Sequence, residues 1–302
     1  MLIGVIGDAT LDVVVGPPGP MSAGDARAHI TLGPGGQGAN VAVRLARAGL
    51  RVRLMTPLAD DAAGRVLRAH LESEGLEIDA VPASRTSMVV VLVASGGART
   101  MLSDRTPFGA DLATSLAGCD WVHVSGYALR EQAEADCVVG AIRAVGGRRV
   151  SVAGGSFEDL LDAGVARNAI HEMGTRLLVV NRDEAELLVR DPMRSIAEAA
   201  SALATPDCLA VVTNGEHGAA AAAGWIPSAV VRDAQPLRGS AVDSTGAGDA
   251  FTASLIGSLA SGWPPDPGAL ASALEVAARE GAAATTAIGA QSVGATGSGG
   301  DA

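Results

Sequence analysis

The sequence predicts an α/β protein: a mainly parallel central sheet sandwiched between two helical layers, with a small β-sheet lid. Two patterns predict it. Short, continuous apolar runs alternate with amphipathic helical stretches, as in strands buried on both faces. Two hairpin-like segments, residues 11–32 and 86–102, interrupt that alternation. Composition agrees. The chain has 302 residues, 48% of them hydrophobic and only 18% charged, which excludes disorder as a global description. Aromatic residues are 2%, so the core must be built from Ala, Val, Leu and Ile.

The elements follow in order. Leu2–Ile6 is an apolar run of strand length, closed by Gly7-Asp8. The first hairpin carries Val13–Val15, the turn Gly16-Pro17-Pro18-Gly19-Pro20 and a returning stretch to Leu32. Ala39–Ala48 and Ala62–Glu74 have helical spacing and flank the apolar run Val52–Thr56. The second hairpin pairs Met88–Val93 with Arg99–Leu102 across Ser95-Gly96-Gly97. Strands at Trp121–Ser125, Arg149–Ala153, Leu177–Val180 and Leu209–Thr213 then alternate with helices, among them Glu131–Ala144 and Ser195–Ala204. An apolar helix runs from Asp249 to about Ala260. Residues 1–293 read as one domain and 294–302 as a flexible Gly/Ser-rich tail.

Several function classes are excluded early. The net charge is −11, against a nucleic-acid or anionic-membrane surface. All 22 basic residues are Arg, so Walker-type and Schiff-base lysines are absent. Cys119, Cys137 and Cys208 are scattered and form no C-x-x-C pair; they read as reduced thiols. The five histidines form no metal-binding pattern. No apolar stretch has bilayer length and the N-terminus lacks a signal pattern. A cytoplasmic protein is expected.

Two constellations carry chemistry. Gly33-Pro34-Gly35-Gly36-Gln37-Gly38-Ala39-Asn40 opens a helix. Its Gly33-x-Gly35-x-x-Gly38 spacing fits a dinucleotide fingerprint, with Asp60 about 20 residues on. The same glycines also suit close backbone approach to a hydroxyl-rich ligand, or a plain tight turn. The second is Val242-Asp243-Ser244-Thr245-Gly246-Ala247-Gly248-Asp249-Ala250-Phe251. Gly246, Ala247 and Gly248 at a helix N-terminus offer free N–H groups and a dipole suited to phosphate. Ser244 and Thr245 supply capping oxygens. Asp249 in the first turn is expected to be held ionised by the dipole, a base for an attacking hydroxyl.

In this order, the two motifs resemble the signatures of the ribokinase/PfkB carbohydrate kinase family. Gly35, Gly36 and Asn40 match its Gly-Gly-x-x-x-Asn sugar-binding turn, and Asp243–Asp249 its Asp-Thr-x-Gly-Ala-Gly-Asp block, with Ser244 in place of a Thr. Gly7–Asp12 resembles the opening strand, whose last Asp grips substrate hydroxyls. Asp60–Gly64 resembles its Gly-Asp-Asp-x-x-Gly stretch. Asn181-Arg182-Asp183-Glu184 resembles Asn-x-x-Glu, and Thr213-Asn214-Gly215 with Gly218 the nucleotide loop.

The resemblance implies a ribokinase-like fold and an ATP-dependent kinase. Asp249 would be the base, with Gly246, Ala247 and Gly248 as the anion hole. Asp12, Gly35, Gly36 and Asn40 would hold the substrate, with Arg99 or Arg105 near an anionic group. Asn181, Glu184, Thr213, Gly215 and Gly218 would serve ATP, Glu184 meeting Mg²⁺ through water. Asp243 and Gly289–Ser292 would hold a monovalent cation such as K⁺. The substrate would be a sugar or a nucleoside; scarce aromatics favour the sugar. The alternatives are a nucleoside kinase of the same family, a non-catalytic sugar-sensing relative and a nicotinamide-dependent oxidoreductase using Gly33–Gly38; the lid sheet is also expected to offer a homodimer contact. One departure stands out: Ala153-Gly154-Gly155 replaces the acidic residue or Asp-Pro common in relatives.

Overall fold

A computed structural model describes residues 1–16, 27–93, 99–109, 112–157, 160–233 and 241–292, without the side chains of Arg99 and Leu160. Most of the expected Gly16–Pro20 turn, the Ser95–Gly97 turn and the 294–302 tail lie outside the described residues.

The elements in chain order are β1 (Leu2–Ile6), β2 (Thr10–Val15), β3 (Ile30–Gly35), α1 (Gln37–Arg47), β4 (Arg51–Leu58), α2 (Ala62–Ser73), β5 (Glu77–Pro82), β6 (Met88–Val93), β7 (Arg99–Asp104), β8 (Trp121–Ser125), α3 (Gln132–Val145), β9 (Arg149–Ala153), α4 (Leu160–Glu172), β10 (Leu177–Asn181), α5 (Arg182–Val189), α6 (Ile196–Leu203), β11 (Leu209–Thr213), β12 (Ala219–Ala222), β13 (Val230–Arg232), α7 (Ala247–Leu259) and α8 (Pro267–Ala284).

Nine strands form one sheet in the order β13-β12-β11-β10-β9-β8-β1-β4-β5. It is parallel from β5 to β11; β12 runs antiparallel to both its neighbours. The period of two splits each strand between two cores. Ile3, Val5, Leu54, Val179 and Val211 enter one core with α1, α7 and α8. Leu2, Ile6, Val122, Val152 and Val180 enter the other with α3 to α6. Burying each such side chain contributes about 1.5–3 kcal/mol. The three tryptophans meet edge to face at one core: Trp263 lies 5.5 Å from Trp121 and 6.0 Å from Trp225.

β1 sits between β4 and β8, so the chain leaves it in opposite directions on its two sides. Such a reversal opens a crevice at the carboxyl ends of the strands. The second sheet, in the order β3-β2-β6-β7, stands over that crevice. Both expected hairpins form, β2 with β3 and β6 with β7, and β2 pairs parallel to β6 to join them. Asp12, Val89 and Met101 face the crevice. The opposite face carries the row Leu32, Val13, Val90 and Leu102, whose outer two members are exposed.

Cys119 and Cys208 are buried and free, and Cys137 is exposed and free. Among the described residues no helix is long and apolar enough to cross a membrane.

Candidate active site

Where the two sheets meet, a cavity of about 200 Å³ is lined by Asp12, Gly36, Asn40, Arg105, Gly246 and Asp249. Members of both sequence motifs therefore face one space, although they lie at opposite ends of the chain.

The cavity depends on absent side chains. A Cβ on Gly35 would overlap the Asp12 carboxylate, and Gly38 packs against Gly7 so closely that α1 abuts the end of β1. These glycines lie in the small sheet and at the start of α1. They pack against the β1–β2 segment instead of forming the phosphate turn of a dinucleotide site, and Asp60 is exposed in an ion pair with Arg65. Gly33, by contrast, has open space around it.

Asp12 accepts a hydrogen bond from Thr10 Oγ1 at 2.6 Å. Burial raises its pKa to about 6; the Thr10 bond opposes this, the Asp8 charge adds to it and Arg105 lowers it. Sequence reasoning missed how Asp8 works, although it lies inside the opening motif. Asp8 is buried and pairs with Arg105, whose guanidinium stacks 4.0 Å over the Tyr127 ring. Gln37 was also unmarked by the sequence. It accepts from Ser125 Oγ at 2.6 Å and donates to Gly154 O at 2.5 Å, tying α1 to the ends of β8 and β9.

Asp249 lies in the first turn of α7 and keeps partial access through the cavity. Asn40 Nδ2 donates to its Oδ2 at 2.8 Å. The expectation that the helix dipole holds Asp249 ionised needs correction. Burial dominates and lifts its pKa to about 7; the Asn40 bond resists, the Asp8 and Glu184 charges push further up, and Arg44 pulls down. A second correction concerns the cap. Gly246, in the left-handed region at φ 76°, is the N-cap of α7, and neither Ser244 nor Thr245 caps it by its side chain. The N-terminus of α7 is therefore not closed by a side-chain oxygen. Ala247 N–H makes a long bond to Ser244 O at 3.3 Å.

The Asn181 and Glu184 pair is a capping box. Asn181 Oδ1 accepts from Glu184 N–H at 2.8 Å, and Glu184 Oε2 accepts from Asn181 N–H at 2.9 Å. Glu184 Oε1 also accepts from Ser156 N–H at 2.8 Å. A Cβ on Gly154 would overlap the Glu184 carboxylate, which accounts for the glycine that follows Ala153. Gly154→Ala is expected to lower stability by at least the ~1 kcal/mol that a lost cap costs, measured by thermal melting, whereas Gly33→Ala is not.

Thr213 is in register with Asn181 across β10 and β11, so both stand at carboxyl ends of adjacent strands. Gly215 and Gly218 follow in a short turn where both have positive φ. Asp243 is buried and links two loops: Oδ1 accepts from Thr245 N–H at 2.7 Å and Oδ2 from Gly289 N–H at 2.9 Å. Arg99 opens β7, but its side chain lies outside the described residues.

The comparisons with known proteins agree with this geometry. The profile of the "pfkB family carbohydrate kinase" matches residues 2–296. The chain belongs to this family. As a member of the pfkB family it is a carbohydrate kinase, a phosphotransferase with an alcohol acceptor. A fructokinase from Salmonella typhimurium is 33% identical over 303 residues, covering 95% of this chain and 94% of that relative. The crystal structure of fructokinase from Vibrio cholerae O395, in fructose, ADP and calcium ion bound form, superposes with a TM-score of 0.78 at 25% identity, covering 97% and 95% of the two chains. Ribokinase from Cryptococcus neoformans, in complex with ADP, has a TM-score of 0.75 at 21% identity, covering 96% and 95%, and shares the ribokinase-like fold.

Proposed function

We propose that this protein transfers the γ-phosphoryl group of ATP to a hydroxyl of an unphosphorylated sugar, with fructose the foremost candidate. The observation that carries the reading is the cavity at the N-terminus of α7, which Asp12 and Asp249 both line. The fructokinase relatives and the fructose-bound neighbour support the choice of sugar. So does charge. Two carboxylates line the cavity, and its cation, Arg105, is already paired with Asp8, so a phosphorylated acceptor would be repelled. A nucleoside fits less well, because Arg105 already covers a face of Tyr127.

In this reading Asp12 accepts two sugar hydroxyls, with Gly35 and Gly36 giving the ring room and Asn40 at its edge. Asp249, ionised, takes the proton of the attacking hydroxyl. The N–H groups of Gly246, Ala247, Gly248 and Asp249 stabilise charge on the transferring group. Asn181, Thr213, Gly215 and Gly218 line the ATP side of the crevice. Glu184 fits a magnesium ion through water and not directly, because each of its oxygens already accepts a backbone N–H. Bound magnesium would neutralise phosphate charge. Asp243, with the Gly289–Ser292 loop it holds, would support a potassium ion. The small sheet covers the sugar and excludes water.

The test is ADP release from Mg-ATP with fructose, ribose, fructose phosphates and adenosine, with Asp249→Asn as control. Release with fructose, lost in the variant, is expected. Equal or better turnover of a sugar phosphate would overturn the charge argument. The exposed outer row of the small sheet is read as a homodimer contact. Light scattering is expected to show a dimer that Leu102→Glu splits; a monomeric parent would remove this reading.

A further inference from the structure

Behind Asp249 runs a line of hydrogen bonds that the two motifs do not explain. Asn40 Nδ2 donates to Asp249 Oδ2 at 2.8 Å. Gln291 Nε2 donates to Asn40 Oδ1 at 3.0 Å. Gln291 Oε1 lies 2.7 Å from His70 Nε2. The line starts on α2, crosses the loop after α8, passes α1 and ends on α7. Gln291 is only 6% exposed and Asn40 5%, so neither amide can turn to water for partners.

The direction of the line is forced from its end. An ionised carboxylate only accepts, so Asn40 must present its N–H groups to Asp249. Its carbonyl then faces Gln291 and needs a donor, which only the Gln291 amide nitrogen supplies. The Gln291 carbonyl is left facing His70, which donates from Nε2–H. A protonated Asp249 would gain from the opposite order, but reversing it requires two buried amides to turn over and His70 to give up its Nε2 proton. The line therefore favours the ionised base.

The loop that carries Gln291 is held for this task by its backbone. Arg44 Nη2 donates to Ala290 O at 2.7 Å and Arg47 Nη1 to Gln291 O at 2.5 Å. Arg47 is itself paired with Glu74, which lies 4.0 Å from His70. The Gln291 side chain can thus be altered while the anchors of its main chain remain.

We propose that Gln291, oriented by His70, is a positioning residue that fixes the Asn40 amide with its N–H toward Asp249. It rests on the reading of Asp249 as the base. Neither residue lines the cavity, and Gln291 meets its lining at Asn40, so the effect passes through Asn40. The other charges around Asp249 are Asp8 from the β1–β2 segment, Arg44 from α1 and Glu184 from α5, and none is changed by the variants below.

The experiment is the pH profile of kcat/KM for the sugar that the ADP-release assay identifies, whose acid limb reports the base in the free enzyme. Gln291→Leu removes the donor to Asn40, and the limb is expected to move up by about one unit. Activity then falls about 10-fold at pH values below the parent limb, and the loss narrows as pH rises above it. Gln291→Glu is the sharper variant. It keeps the shape but offers only acceptors, so Asn40 must turn its N–H groups to Glu and its carbonyl to Asp249. Its limb is expected to rise at least as far as that of Gln291→Leu. His70→Leu should shift the limb in the same direction, and His70→Gln, which restores a donor, should bring it back. Melting temperature and ADP binding measured alongside separate a damaged fold from a displaced base. An unmoved acid limb in both Gln291 variants, with folding intact, overturns the proposal. Unchanged turnover in Asp249→Asn would instead overturn the reading on which it rests.

Discussion

Replacing Asp249 by Asn is expected to lower kcat by about 10³-fold, within the ~10²–10⁴ range that a positioned general base contributes. Nucleotide binding should survive, because the N–H groups at the start of α7 belong to the main chain. Stability should rise, and with a defined pH dependence. The folded-state pKa of Asp249 is lifted to about 7, above the ordinary value of 3.8. The folded protein therefore holds that proton more tightly than the unfolded chain does. The stabilisation from the proton is complete below the unfolded value and is lost as pH rises through about 7. Asn carries no such dependence. The melting temperature of the variant should gain on the parent between about pH 4 and 7 and hold that lead above it. A calorimetric series across that range checks the sign, and single-turnover ADP formation checks the rate. The same ionisation shapes catalysis. The base works only when deprotonated, so kcat/KM should climb with pH through about 7 and the climb should vanish in the variant. Turnover within a few-fold of the parent would remove Asp249 from the chemistry.

The large features of this molecule were legible because each has a local cause. β1, β8, β9 and β11 are short apolar runs buried on both faces, and their limits could be read directly. The two hairpins were marked by their turn residues. β12 was not legible: Ala219–Ala222 is four alanines, with little strand preference, and its pairing with β11 and β13 makes it a strand. β5 has half-buried residues on an edge, and its alternation is weak. α8 is so rich in Ala that its buried stripe is hard to separate from its outer face.

The site divides in the same way. Asp12, Gly36, Asn40 and Asp249 carry motif spacing, and the fold places all four around one cavity. The residues that hydrogen-bond to them were not legible, because only the fold brings those residues together. Arg105, just after β7, reaches Asp8 in the β1–β2 segment, and Gln291 reaches Asn40 across most of the chain's length. Glu184 shows a third case. Its type and spacing were visible, but its geometry is that of a capping residue with both oxygens engaged, and the glycine at 154 is what leaves its carboxylate room.

Asp12→Ala is expected to act on the sugar and not on ATP. Ionised Asp12 offers acceptors to two vicinal hydroxyls, and losing both charge-assisted bonds, about 3 kcal/mol in all, corresponds to a ~100-fold weaker apparent affinity. kcat at saturating sugar should change far less, since Asp12 does not meet the transferring proton. Its own ionisation adds a second signature. Burial lifts the Asp12 pKa to about 6, so sugar binding should weaken as pH falls through that value, while proton abstraction by Asp249 fails already through about 7. Direct binding of the sugar to Asp249→Asn isolates the first effect, because that variant has lost the second ionisation. Its affinity should bend near pH 6, and adding Asp12→Asn should flatten the bend and leave the affinity low throughout. Sugar affinity indifferent to Asp12→Ala would place the substrate elsewhere in the crevice. A bend that persists in the double variant would assign the ionisation to a group other than Asp12.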